Sequence, residues 1–214
     1  MAGLSRTEIL LVGLTLLIKV SLLAFGMLVY VLVTHGAVRG PLDVLDLWNR
    51  WDGPHYLDVA VWGYMEHDPG LSPTYSQRFD LDLFIVFYPL YPWLTAALNW
   101  VVHEPLVSAL AVTALASVFV APLLYRLVRI EEGEGVALRA AWFLLIFPTA
   151  FFLHIGYTEA LFLALALGSF LAARTDRWWL AGALGGLAAL TRVNGLILIP
   201  ALLVEAATQW LTQA

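Results

Sequence analysis

The 214-residue sequence contains no cysteine and little charge. Without cysteine there is no disulfide framework, thiolate nucleophile or cysteine-ligated metal site. Charged residues make up 13% of the chain, about half the fraction found in soluble domains. No concentrated basic tract, G-x-S-x-G element, P-loop or dinucleotide-binding fingerprint occurs, so nucleic acid is not an expected partner, and serine-hydrolase and nucleotide-binding functions lose support.

Apolar residues make up 61% of the sequence and are gathered in long runs. Runs of this length can cross a hydrocarbon core about 30 Å thick. The first run is too long for a signal peptide and is followed by no small-residue cleavage site, which predicts a retained span. The sequence therefore predicts an all-α, polytopic membrane protein. The seven candidate segments are residues 9–33, 84–102, 106–125, 137–153, 157–173, 178–190 and 193–211.

The positions of the basic residues indicate which segments span. Lys and Arg concentrate on the cytoplasmic side of membrane proteins, so Arg6 places the N-terminus inside. If 84–102 crossed the membrane, Arg126 and Arg129 would lie outside; if it does not cross, every basic cluster lies inside. We therefore predict six spans with both termini inside, and an extracytoplasmic segment over residues 35–105.

Segment 84–102 also contains Tyr88-Pro-Leu-Tyr-Pro92, where two prolines remove backbone donors that an uninterrupted span would use. Tyr and Trp favour the membrane interface. We predict a juxtamembrane helix in the outer leaflet, with a kinked span as the alternative. Lys19, inside the first span, would face a partner helix or a polar cavity because a lysine facing lipid is costly.

The outer segment is rich in carboxylates, most of which solvation explains. Asp52 is distinguished by its neighbours in Trp48-Asn-Arg-Trp51-Asp-Gly-Pro-His55-Tyr56, since interfacial aromatic rings would desolvate a carboxylate and favour its use as a base. Gly53-Pro54 then opens a predicted amphipathic helix, so Asp52 could equally be a helix N-cap. The eight acids are Asp43, Asp46, Asp52, Asp58, Glu66, Asp68, Asp80 and Asp82.

Two further ionisable residues lie at predicted outer ends of spans. Glu159 opens an apolar span, where it would be either a functional carboxylate or a first-turn acid favoured by the helix dipole. Arg192 ends a short span and breaks the positive-inside pattern, so it would bind a phosphate or be ion-paired or snorkelling. A divalent metal at Asp52 and His55 is only weakly indicated, because no HExxH-type pair occurs.

Four segments in order resemble the motifs of the PIG-V-like (GPI mannosyltransferase 2-like) family of the GT-C superfamily of membrane glycosyltransferases. They are Arg50-Trp51-Asp52-Gly-Pro-His55-Tyr56 with Gly63-Tyr64, Phe87-Tyr-Pro-Leu-Tyr-Pro92, Phe147-Pro-Thr-Ala-Phe-Phe152 with Tyr157-Thr-Glu159, and Trp178-Trp-Leu-Ala-Gly182 through Thr191-Arg192 and Gly195. Together they cover residues 48–200.

The resemblance implies a GT-C-like transmembrane module over residues 1–214 that acts as an inverting hexosyltransferase, with mannose the expected sugar. The donor would be a sugar on polyprenyl phosphate, and the acceptor a lipid or glycan hydroxyl. The site would face the extracytoplasmic side of a cell membrane, or of the endoplasmic reticulum in a eukaryote. Asp52 would be the general base. The implied substrate-binding residues are Arg50, Trp51, His55, Tyr56, Tyr88, Tyr91, Tyr157, Thr158, Glu159 and Arg192.

The sequence is about half as long as typical members of that family. The C-terminal part of the family is therefore expected to be missing here: either the chain is a fragment, or a second subunit supplies the further helices. The alternative function is a non-catalytic membrane module, either a polyprenyl-lipid-binding subunit or a transporter component. No internal repeat of the kind common in transporters is evident between the two halves.

Overall fold

The computed structural model describes residues 3–35, 40–64 and 86–213, and within these ranges it is all-α with no strand. Arg39, Glu66, Asp68, Arg78, Asp80 and Asp82 of the predicted outer segment lie outside the described residues. The helices are α1 (Arg6–Val33), α2 (Pro41–Asp46), α3 (Gly53–Trp62), α4 (Leu90–Val102), α5 (Pro105–Ile146), α6 (Glu159–Arg174), α7 (Trp178–Ala189) and α8 (Leu198–Gln213). Two 3₁₀ segments, Pro148–Leu153 and Val193–Ile197, precede α6 and α8.

Helix α1 begins with a capping box. The Ser5 hydroxyl accepts a hydrogen bond from the Glu8 backbone N–H, and the Glu8 carboxylate accepts one from the Ser5 N–H. Glu8 also forms an ion pair with Arg126 on α5. The N-terminus of α1 and the middle of α5 therefore lie at the same end of the bundle, as the charge pattern predicted.

Helix α5 is a hairpin of two antiparallel arms. Gly133 has φ 78° and ψ 176°, a left-handed value that glycine adopts at little cost, and the chain reverses there. Ala121 and Tyr125 of the first arm pack with Ala141 and Leu145 of the second, which a straight helix of this length would hold far apart. The predicted segments 106–125 and 137–153 thus correspond to the two arms, the second ending at Ile146 and continuing as 3₁₀ helix.

Among the residues that the structure describes, three helical segments are long and apolar enough to cross a membrane, namely α1, α5 and residues Val193–Thr212. Helices α6 and α7 are shorter, with 16 and 12 residues. The fold is therefore the expected all-α membrane architecture, while the count of six spans stays a prediction. Helix α4 has 13 residues and is about 20 Å long; because α7, with 12 residues, is shorter still, the placement of α4 as a juxtamembrane helix stays a prediction.

Helices α3 and α4 pack on the bundle through aromatic side chains. Tyr56 of α3 makes edge-on contacts with Phe87 and with Tyr91 of α4, at centroid distances of 5.0 and 5.4 Å. Tyr64 donates a hydrogen bond to the Phe87 carbonyl. The start of α4 is tied to the end of α7 by the Leu90 N–H, which donates to the Leu190 carbonyl at 2.9 Å. These contacts bring the second and fourth sequence motifs together.

Candidate functional site

The turn between Leu153 and α6, residues 154–158, connects the motifs of the site. All five of its residues are buried. Its apolar packing comes from Ile155, and its backbone is fixed by the Tyr157 N–H, which donates to the Ile155 carbonyl at 2.8 Å. The Thr113 hydroxyl of α5 donates to the Tyr157 carbonyl at 3.3 Å. The backbone of the turn is therefore bonded to α5, while the side-chain hydroxyls of Tyr157 and Thr158 contact Asp52 and Arg192.

Asp52 lies directly before α3, at the N-cap position, but its side chain makes no capping hydrogen bond. Its backbone N–H donates to the Tyr157 hydroxyl at 3.1 Å. Asp52 is exposed, so the expected desolvation among tryptophan rings is wrong: the neighbouring Trp51 ring turns instead toward Phe151 and Phe152, at 6.1 and 5.5 Å. The Asp52 carboxylate makes no capping hydrogen bond and lies beside the Tyr157 hydroxyl, whose pKa its charge helps to raise.

Arg192 lies opposite, on the extended residue between α7 and the following 3₁₀ segment. Its guanidinium donates to the Thr158 hydroxyl at 3.1 Å and forms an ion pair with Glu159. Thr158 is fully buried, while Arg192 is half-buried. Asp52 and Arg192 are thus bonded to adjacent residues of one turn, Tyr157 and Thr158.

Tyr56 lies within electrostatic reach of the charged groups of the site. Burial is the main cause of its raised pKa; a hydrogen bond with Thr158 and the charge of Arg192 lower it, and the carboxylates of Asp52 and Glu159 raise it. Burial also raises the pKa of Tyr157 to about 12, with Asp52 contributing. Both phenols therefore stay protonated at neutral pH and can donate hydrogen bonds.

Glu159 faces a mostly apolar groove of about 400 Å³ between the second arm of α5, the 3₁₀ segment and α6. Phe143, Phe147 and Phe152 line this groove, and Glu159 is its ionisable residue. One carboxylate oxygen contacts Arg192, and the other is buried with no hydrogen-bond partner among the described residues. The groove is thus an apolar surface that ends at the Glu159–Arg192 ion pair.

The other predicted site residues lie around this centre in different roles. Arg50 is exposed and points to Asp46, at 3.9 Å, rather than to the Asp52 carboxylate. The His55 ring contacts Phe87 at 5.2 Å, and Tyr88 is half-buried before α4.

Tyr91 is fully buried, and its hydroxyl bonds with the Ala109 carbonyl and Thr113. Tyr91 therefore packs against the buried side of Tyr56. Direct contact with substrate stays a prediction for the less buried residues Arg50, His55 and Tyr88.

Trp51 has a left-handed backbone, with φ 53°. For a bulky residue this conformation is strained. It turns the Trp51 ring onto Phe152 and leaves Asp52 at the start of α3. The left-handed conformation at Trp51 thus accompanies different positions for the two neighbouring side chains, with the Trp51 ring on Phe152 and Asp52 at the N-terminus of α3.

Sequence reasoning missed two contacts of the site. Lys19 was expected to face a helix or a polar cavity, but its partner, the His154 carbonyl, is 135 residues away and has no sequence signature. Thr113 looks like any small polar residue in an apolar span, yet it bonds with both Tyr91 and Tyr157. Among the residues that the structure describes, no group of three or more His, Asp or Glu side chains could hold a metal, including around Asp52 and His55.

Gly195 lets the segment that carries Arg192 pack against α7. A Cβ at Gly195 would lie 2.4 Å from the backbone of Ala189 and 2.6 Å from that of Ala188. We expect Gly195→Ala to lower the free energy of unfolding by about 1–3 kcal/mol, because overpacking against backbone forces a shift. Thermal unfolding in detergent measures this, and Gly186→Ala, whose Cβ would meet nothing within 4 Å, is the control. Equal melting temperatures for the two variants would contradict the prediction.

Residues 88–213 match the family described as dolichyl-phosphate-mannose-protein mannosyltransferase. GPI alpha-1,6-mannosyltransferase 2 of Rattus norvegicus is 33% identical over 160 residues, which are 72% of this chain and 31% of that protein. The Mus musculus protein of the same name is 34% identical over 154 residues, 70% of this chain and 29% of that protein. The chain thus spans less than a third of the length of these relatives. No solved structure matches it.

The relatives confirm the resemblance that the four motifs predicted, since both carry the name of the resembled family. The family match extends from the second motif through the end of α8 and covers more than half of the chain. The chain therefore belongs to the dolichyl-phosphate-mannose-protein mannosyltransferase family.

Proposed function

We propose that this chain is a glycosyltransferase module that moves a sugar, with mannose the first candidate, from a polyprenyl-phosphate donor to an acceptor hydroxyl. The observation that carries the proposal is that Asp52 and Arg192 are both bonded to adjacent residues of one buried turn. The Asp52 backbone N–H donates to the Tyr157 hydroxyl, and the Arg192 guanidinium donates to the Thr158 hydroxyl. Family membership and the mannosyltransferase relatives support the same activity.

Asp52 is the proposed general base. The acceptor oxygen forms a bond with the anomeric carbon of the donor while the carbon–oxygen bond to phosphate breaks. The hydroxyl proton passes to the Asp52 carboxylate, and the bond electrons leave with the polyprenyl phosphate. One displacement inverts the anomeric centre, so one carboxylate suffices, unlike the paired acids of most glycoside hydrolases. The exposure of Asp52 lets an acceptor reach it.

Arg192 is the proposed phosphate ligand. A guanidinium offers a planar fork that matches two phosphate oxygens and stabilises the charge that develops as phosphate leaves. Glu159 shares that guanidinium in the structure, so an arriving phosphate would compete with the carboxylate or rearrange it. The Tyr56 hydroxyl lies beside this position, hydrogen-bonded with Thr158, and would be the nearest phenol to sugar or phosphate oxygens of a bound donor.

The depth of the site fits a lipid-linked donor. Lys19 contacts the turn 154–158 from the middle of α1, which continues for a further 14 residues, Val20 to Val33, or about 21 Å. If α1 crosses the bilayer, the turn lies below its outer rim. The apolar groove beside Glu159 would then receive the first isoprene units, and the acceptor would approach Asp52 from the water side.

The transfer assay tests this proposal directly. We expect native membranes that carry the full chain to move radiolabelled mannose from a short-chain polyprenyl phosphate to lipid or glycan acceptors in an extract, with release of polyprenyl phosphate. Sugar nucleotides added without the polyprenyl carrier should give no transfer. The product is measured by chromatography of the labelled acceptor and by its anomeric configuration.

The rival function is a non-catalytic module that binds the polyprenyl-phosphate sugar without transferring it, since the apolar groove beside Glu159 and Arg192 would hold a lipid-linked donor in either case. Binding of the polyprenyl-phosphate sugar to the purified chain without transfer, in membranes and in detergent alike, would support that rival. Retention of anomeric configuration in the product would contradict the single displacement while leaving the transferase activity in place.

A further inference from the structure

Lys19 is a buried ammonium in the middle of α1. Its residue exposure is 9%, and its Nζ donates a hydrogen bond to the His154 carbonyl at 3.0 Å. Within residues 3–35, 40–64 and 86–213, no carboxylate forms an ion pair with it. Burying a charge without an ionic partner is costly, and ionisable residues inside membrane spans are functional by default. Helix packing alone would be better served by an apolar side chain at this position.

The partner of Lys19 is the first residue of the turn that carries the site. His154 is only 4% exposed, and neither ring nitrogen has a hydrogen-bond partner among the described residues. The backbone carbonyl of His154, and not its ring, makes the contact that links α1 to the turn.

Three and four residues after His154, the turn contacts the two candidate site residues, Asp52 and Arg192. The Tyr157 hydroxyl accepts from Asp52, and the Thr158 hydroxyl accepts from Arg192. The 154–158 segment is short and its Tyr157 N–H donates to the Ile155 carbonyl within the turn, so few torsions separate the His154 peptide from these two residues. The Lys19–His154 hydrogen bond thus attaches α1 to the turn 154–158, to which both Asp52 and Arg192 are bonded.

We propose that Lys19 is a positioning residue, which holds the turn 154–158 so that Asp52 and Arg192 keep their reactive separation. The proposal rests on the proposed transferase function. Lys19 touches neither group directly, so its loss acts on the geometry of the reacting pair rather than on the recognition of the donor. A misplacement of about 1 Å can lower a rate by about 100-fold, and Lys19→Met removes the hydrogen bond at nearly constant side-chain length.

The first experiment measures transfer kinetics in membranes that carry the full chain. We expect Lys19→Met to lower kcat about 100-fold, with the KM for the polyprenyl-phosphate sugar changed by less than about threefold. Lys19→Arg, which keeps the charge and the donors, should recover at least a tenth of the wild-type kcat. Thr15→Val is the matched control, since Thr15 is also buried in α1 but donates to Leu11 in its own helix.

Wild-type kcat in Lys19→Met would overturn the proposal, and so would an Lys19→Arg variant no better than Lys19→Met. A second readout does not depend on activity. Hydrogen exchange in the full chain should show faster exchange of the His154 and Tyr157 amides in Lys19→Met, and wild-type exchange in Lys19→Arg and Thr15→Val. Unchanged exchange in Lys19→Met would refute the positioning role. If the wild type itself shows no transfer, the proposed function fails, and the exchange data still decide whether Lys19 holds the turn.

Discussion

Replacement of Asp52 by asparagine should reduce sugar transfer by about 100- to 10,000-fold, the range that a general base contributes. Asparagine has nearly the same shape but takes up no proton from the acceptor hydroxyl at neutral pH. The hydrogen bond from residue 52 to Tyr157 uses the backbone N–H and so survives the substitution. Because no capping hydrogen bond from the Asp52 side chain exists, α3 should also keep its N-terminus.

Two controls separate chemistry from folding in this prediction. Asp46→Asn makes the same chemical change at an exposed carboxylate of the same outer segment, and transfer should stay at the wild-type level. Asp52→Glu restores a carboxylate displaced by one methylene, and it should recover part of the rate. Labelled-product formation, normalised to the amount of membrane-inserted protein, gives the comparison. Near-wild-type transfer by Asp52→Asn would remove Asp52 from the role of base.

The same asparagine variant distinguishes the proposed roles of donor binding and catalysis. Since Asp52 acts on the acceptor proton, the donor KM should change little while kcat falls. If Asp52 instead held the donor through a sugar hydroxyl, the KM would rise as well. The exposure of Asp52 favours the first outcome, because the Glu159–Arg192 pair beside the groove is the better placed part of the site for the donor.

The outer segment shows how far sequence reasoning reached. Proline at the start of a helix and interfacial aromatics are local signals, so the start of α3 at Gly53 and the short helix after Tyr88-Pro were predictable. The desolvation of Asp52 was not, because it depends on the direction in which the Trp51 ring turns. That direction is set by Phe151 and Phe152, which are 100 residues away.

Charge patterning predicted which ends of helices lie together but not which side chains pair. The rule that basic residues gather at one end placed Arg126 with the start of α1, and the structure adds Glu8 as the partner. It likewise marked Arg192 as unusual, which left phosphate binding and ion pairing as alternatives. The structure shows the ion pair with Glu159, and phosphate binding becomes the part that an experiment must test. Ion pairs between residues far apart in sequence, such as Glu8–Arg126 and Glu159–Arg192, depend on how the helices pack. The spacing of residues within one helix does not reveal that packing.

Replacement of Arg192 by glutamine should reduce kcat/KM for the polyprenyl-phosphate sugar by about 100- to 1,000-fold, the cost of losing one donor that stabilises developing charge. We expect kcat to fall and the KM for the donor to rise, because the phosphate already carries charge in the bound donor and gains more as it leaves. Inhibition by free polyprenyl phosphate should weaken in parallel, because the product presents the same group. Arg192→Lys should recover only part of the loss, since an ammonium lacks the planar fork.

Arg174 provides a control that matches Arg192 in burial and in its ion pairs. It is half-buried and pairs with Glu131 and Glu205 at the other end of α6. Arg174→Gln should lower the melting temperature while donor KM and product inhibition stay at wild-type values. A loss of transfer in Arg174→Gln as large as in Arg192→Gln would show that the assay reports stability rather than phosphate binding.

The pairing with Glu159 gives the sharpest test of the Arg192 assignment. Arg192→Gln alone leaves Glu159 as a half-buried carboxylate without its cation, so part of its effect is structural. The double variant Arg192→Gln with Glu159→Gln removes that unpaired charge. If Arg192 binds phosphate, the double variant stays as defective in transfer as Arg192→Gln, while Glu159→Gln alone frees the guanidinium and strengthens inhibition by polyprenyl phosphate. If Arg192 only neutralises Glu159, the double variant regains wild-type transfer, and the phosphate role is excluded.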